Sequence, residues 1–151
     1  MTRMRSASGF SLVELIVVIV VMAVLVGVAV PRFFGQATFE APAFAQELAS
    51  AARYAQKLAV TSGCAVEFSV TAAGYALMQP QASCAGAMTL AALHPATGAS
   101  FTGSAPTGIA IGGTLGTVRF DPAGIPNAGA SYTIADLSVT IAAGSGYVEV
   151  Q

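Results

Sequence analysis

Glu14 is the residue whose setting most demands a chemical partner. It adjoins an apolar run, LIVVIVVMAVLVGVAV over residues 15–30. A carboxylate taken into a bilayer costs roughly 2.5–3.5 kcal/mol on insertion scales. A cation brought against it inside an apolar bundle neutralises both charges. A cut after Gly9 would create one, the α-amine of Phe10, on a neighbouring copy of the chain. Such a pair would also fix axial register between copies, as a buried polar residue does in a coiled coil. The competing role is local: an acid near a helix N-terminus is favoured by the macrodipole.

Other reactive side chains are few. Cys64 and Cys84 are the two cysteines. In an oxidising compartment they read as one disulfide, in the cytoplasm as two thiols. His94, the one histidine, lies ten residues from Cys84 with no third ligand in sight, which argues against a metal. It precedes Pro95 in a loop-like stretch and reads as a packing or surface residue. Asp121 stands before Pro122, a turn signal. Gly112 and Gly113 have no phosphate-loop lysine and read as a turn. No serine or threonine has a nucleophile elbow around it. No catalytic constellation emerges, and no cofactor is implied.

Composition narrows the classes. The chain has 151 residues, 55% hydrophobic and 9% charged, with net charge -1. Without residues 1–9, four basic residues (Arg32, Arg53, Lys57, Arg119) face seven acidic ones, giving -3. A nucleic-acid binder carries a basic stripe, so nucleic acid is disfavoured as a partner.

The positioning element for Glu14 is a helix from Phe10 to about Val30. Twenty or so residues span about 30 Å, the thickness of a bilayer core. Three readings compete. An ordinary signal peptide would be cut near Gly27-Val28-Ala29. A plain anchor would stay uncut. In the third, the cut precedes the apolar run and the run is retained. The leader MTRMRSASG favours the third: it is short and basic, lacks an apolar stretch and ends in Gly9, which offers a protease no side-chain obstruction. Arg3 and Arg5 hold this end in the cytoplasm, although Arg32 flanks the other side.

Gly9 to Ile16 (GFSLVELI) closely resembles the processing site of type IV prepilins and type II secretion pseudopilins. The resemblance implies cleavage between Gly9 and Phe10 by a membrane prepilin peptidase, which also N-methylates Phe10. It implies Glu14 as the assembly acid and Pro31 as a helix-kinking proline. The implied partners are the peptidase, other pilin or pseudopilin subunits, an inner-membrane assembly platform and membrane lipid. The implied location is the inner membrane with the head in the periplasm, then the filament. There Cys64 and Cys84 would close a loop of about 20 residues, worth about 3 kcal/mol.

Beyond Pro31, which should kink the helix or end its regular bonding, Gly35 and Pro42 read as further interruptions. Phe44, Leu48, Ala51, Ala55 and Leu58 then form an amphipathic stripe, predicting a helix over about 39–59 that Gly63 ends. Strands are predicted at 64–70, 74–78, 116–120, 132–134, 137–142 and 147–150. Residues 79–107 read as a long loop with one strand at most. The expected organisation is a leader at 1–9, a transmembrane and filament-core helix at 10–35, and a head at 36–151. The fold class is α+β, a long helix packed on a mostly antiparallel sheet.

This order is similar to the pilin family. The stretches Arg53 to Gly63 (RYAQKLAVTSG), Arg119 to Gly124 (RFDPAG) and Gly146 to Val150 (GYVEV) resemble GspH/FimT-type minor pseudopilins and pilins. There is also a likeness to minor pilins of the mannose-sensitive haemagglutinin system. The implied function is a structural subunit, of the minor kind, in a type IV pilus or type II secretion pseudopilus. Alternatives are a tip-displayed binding subunit for a secreted substrate or DNA, and a secreted β-rich protein. Arg119 is the only basic residue after Lys57, which argues against DNA.

Overall fold

The computed structural model describes the backbone of residues 11–33 and 36–151, with side chains over 11–25 and 39–151. Two compact units result, 1–36 and 37–151. In the first, α1 (Leu12–Phe33) is a helix of 22 residues. It runs past position 31, so helical backbone does not stop at the proline. Leu12 to Val21, Glu14 aside, are all about half exposed or more, on every side of the helix. Counting only the described residues, no helix is long and apolar enough to cross a membrane. The apolar run of the sequence continues beyond Leu25 to Val30.

In the second unit α2 (Gln36–Ser62) is alanine-rich, which favours helix. The predicted stripe faces inward: Phe44, Leu48, Ala51 and Ala55 are buried and Leu58 half-buried. Ala45, Ala49, Ala52 and Ala59 join them at 0% exposure. Pro42 does not interrupt the helix, contrary to the expectation. Its ring lies on the exposed side, and burial begins beside it at Ala41. Packing from there onward offsets the lost backbone bond, a cost of about 3 kcal/mol in a free helix. Gly63, at φ +66°, closes the helix as predicted. The Ser62 hydroxyl donates back to the Leu58 carbonyl at 2.7 Å.

Nine strands follow in two antiparallel sheets. The first has β1 (Val66–Thr71) between β2 (Gly74–Pro80) and β6 (Gly116–Phe120). The far edge of β2 is shared by β3 (Met88–Ala91) and β4 (Thr102–Ser104). The second sheet runs β5 (Ile111–Gly113), β7 (Ala130–Ile134), β8 (Leu137–Ile141), β9 (Val148–Val150). Residues 79–107 therefore hold two short strands where one at most was expected. Gly112-Gly113, read as a turn, is instead paired with Thr133 and Tyr132 as an edge strand. Alternation sets the core: Val66, Phe68 and Val70 of β1 point inward with Leu77, Val118 and Phe120 of their partners. Tyr132, Ile134, Val139, Ile141 and Val148 of the second sheet complete one cluster with α2. The architecture is α+β.

Candidate assembly site

On α1, Ser11 sits immediately before the first helical residue and caps it. Its carbonyl accepts from the Leu15 N–H at 3.1 Å, and its hydroxyl from the Val13 N–H at 3.3 Å. Glu14 is the acid of the first turn, so the macrodipole favours its charge there. Leu12, Val13, Leu15 and Ile16 surround it, each more than half exposed. The described part of α1 thus presents one carboxylate on an apolar cylinder. Such a surface is stable only when covered by lipid or other apolar helices. Gly9 and Phe10 lie outside the described residues, as does the Pro31 side chain.

The head has a second organised region, around Gln56 on α2. Its Nε2 donates to the Gly124 carbonyl at 2.9 Å and the Ser145 carbonyl at 2.8 Å. One turn earlier, Arg53 Nη2 donates to the Val148 carbonyl at 3.0 Å. The turn carrying Gly124 is built by Asp121, whose Oδ1 accepts from the Ala123 N–H at 2.9 Å and the Ile125 N–H at 2.8 Å. Gly124, at φ +80°, leaves no space for a side chain: a Cβ there would lie 2.9 Å from Val60 Cγ2. The three stretches singled out in the sequence, 53–63, 119–124 and 146–150, thus meet at one point. Nothing in their separate patterns announced that meeting.

Two further ties hold the head. Cys64 and Cys84 are disulfide-bonded, with Cα atoms 4.8 Å apart, within the range such a bridge requires. The bridge fastens the β2–β3 loop to the end of α2. Tyr75 on β2 donates its hydroxyl to Glu47 Oε1 on α2 at 2.7 Å. Burial, and then that carboxylate, push the Tyr75 hydroxyl well above its ordinary range. Tyr132 is fully buried, and among the described residues its hydroxyl has no hydrogen-bond partner. Burial pushes its pKa up to about 12.

The remaining residues weighed for chemistry are placed as scaffold. The His94 ring packs on Phe101 with centroids 4.7 Å apart, and its Nδ1 accepts from the Ala96 N–H at 3.2 Å. Phe101 stacks in turn on Tyr54 of α2 at 4.9 Å. Among the described residues no group of three His, Cys, Asp or Glu is arranged to hold a metal ion.

Comparison with known proteins places both units. The family described as "Type II transport protein GspH" matches residues 45–151, and the "Prokaryotic N-terminal methylation motif" matches residues 4–30. No curated protein matches the chain. Among solved structures it is similar to the type IV minor pilin FimU of Pseudomonas aeruginosa strain PAO1 in two crystal forms. In space group P21 the TM-score is 0.56 at 13% identity, covering 78% of this chain and 92% of that one. In space group P65 it is 0.51 at 14% identity, covering 71% and 89%. At such identity the likeness speaks for the fold. The family match spans most of α2, every strand and the whole Gln56 contact, and on that ground the chain belongs to the GspH family of type II transport proteins.

Proposed function

We propose that the protein is a structural subunit, of the minor kind, of a type IV pilus or type II secretion pseudopilus. One observation carries this: a single chain joins an N-terminal methylation motif over 4–30 to a GspH head over 45–151. The exposed apolar α1 supports it, because a head of this kind needs no such helix except for insertion and assembly. In this reading a prepilin peptidase cuts between Gly9 and Phe10 and methylates the Phe10 amine. The apolar run over 15–30 holds the subunit in the inner membrane, with the head in the periplasm. An assembly platform then moves it into the filament, where Glu14 pairs with the Phe10 amine of a neighbouring subunit. Pro31 serves as the kink between the apolar run and the head-proximal helix.

Intact mass and N-terminal sequencing of the protein from its host membrane test the reading. The expected start is N-methylated Phe10. A start at Val30 would make the chain an ordinary secreted protein, and an intact Met1 in a peptidase-bearing host would make it a plain anchor.

A further inference from the structure

From Phe68 to Val118, about a third of the chain, there is no Asp, Glu, Lys or Arg. Glu67 and Arg119 bound the stretch and face each other in register on β1 and β6. The stretch is not interior. Most of residues 81–90, 93–100 and 113–117 are exposed, including Leu90 at 47% and Leu93 at 57%. On the outer face of the first sheet the pairing brings hydroxyl side chains and alanine together. One rung holds Thr102, Ala76 and Ser69, and the next holds Ser104, Gly74 and Thr71. These residues line a shallow concavity, and none of the residues lining it is charged. The histidine within the stretch, His94, packs on Phe101.

Charged residues normally make up about a quarter to a third of a soluble surface and keep it from sticking. A surface without them is poorly suited to permanent exposure and well suited to burial. No ion has to be stripped of water, and each hydroxyl can both donate and accept across a contact. Contact cores between proteins are depleted of charge in the same way. The occupant must be uncharged where it touches, since a charge opposite this face would be buried without a counter-ion. A second head carrying the same kind of face meets that condition.

We propose that the outer face around Thr102, Ala76 and Ser69 is where this head packs against the uncharged face of a neighbouring subunit's head in the filament. The proposal rests on the filament-subunit reading above and deepens it by assigning the contacting surface.

The test uses the full chain in its host, with recovery in sheared filaments as the readout. Thr102→Lys and Thr102→Glu are expected at a tenth of the wild-type level or less. Membrane levels and thermal midpoints should stay unchanged. Thr102→Ser, and Ser50→Lys on the exposed side of α2, should be recovered normally. Normal recovery of both Thr102 charge variants would overturn the proposal. So would loss of only one sign, which would mean a charged partner, or equal loss of Ser50→Lys. Because a charge on a short edge strand could disturb folding, a photo-crosslinking amino acid at Thr102 supplies an independent arm. Adducts with another subunit in intact filaments are expected, and their absence would overturn the proposal. If wild-type protein is itself missing from filaments, the subunit reading falls first and takes this proposal with it.

Discussion

The side-chain amide of Gln56 reaches from α2 to the backbone carbonyl of Gly124, 68 residues away in sequence, at 2.9 Å, and to that of Ser145 at 2.8 Å. Both amide protons are thereby spent on carbonyls from two different loops. Gln56→Ala should lower stability by about 2 kcal/mol, since each such bond contributes about 1. Gln56→Glu should cost more, because a carboxylate only accepts and would face two carbonyl oxygens. Thermal melts of the detergent-solubilised protein would measure both; a Glu variant as stable as the parent would contradict the assigned contact.

Reduction of Cys64–Cys84 should cost about 3 kcal/mol in the chain-entropy model, given the separation of 20 residues. Urea unfolding with and without reductant measures it. The double variant Cys64→Ser, Cys84→Ser should be insensitive to reductant and resemble the reduced parent. Because the bridge fastens an exposed loop, strands β1, β2 and β6 should persist when it opens.

Tyr132→Phe should leave stability unchanged or raise it by up to about 1 kcal/mol, because the removed hydroxyl is buried without a partner. The same hydroxyl has an alkaline signature. Its pKa is raised in the folded state to about 12 from an ordinary 10.0. The unfolded chain therefore releases this proton first as pH rises. Stability should be flat below pH ~10 and fall between about 10 and 12 as the unfolded state is favoured. Tyr75, also shifted upward, adds to the same loss. The Phe variant should flatten the curve, and an identical pH profile would refute the assignment.

Glu14→Ala and Glu14→Gln bear on assembly. Insertion should be unimpaired or easier, since the roughly 2.5–3.5 kcal/mol cost of the acid disappears. Filament incorporation should drop at least tenfold, because an uncompensated amine left in an apolar bundle costs about 3–5 kcal/mol. Immunoblots of membrane and sheared-filament fractions separate the two effects. Normal incorporation of both variants would end the pairing role.

What was legible in the sequence was whatever has a period. The Phe44–Leu48–Ala51–Ala55 stripe gave α2, and short β-like runs between Gly and Pro, alternating over residues 64–70, gave β1, β2, β6, β7, β8 and β9 to within two residues of their ends. Short elements held by backbone pairing left no such trace. In β5, Ile111 is the only large apolar residue, so Gly112-Gly113 resembled a turn. β3 and β4 are mostly exposed or half-buried, and β2 bulges at Gln79/Pro80 where it meets β3. Pro42 misled because its cost is local while the compensation is tertiary. The Gln56 contact was invisible for another reason: a side chain bonding to backbone carbonyls imposes no residue type on its partners Gly124 and Ser145 except where a Cβ would crowd the contact, as at Gly124 and at Gly146 beside it.

The alanine side of α2 also bears on how such a chain can drift over generations. Ala45, Ala49, Ala51, Ala52, Ala55 and Ala59 are wholly covered, so the helix backbone lies as near the strands as a single methyl allows. Any larger residue there overfills the space, at about 1–3 kcal/mol each, and glycine would weaken the helix by about 1. Those positions can neither grow nor shrink. Variation must collect on the outward side, so related heads could keep one inner template while their exteriors diverge to suit different neighbours.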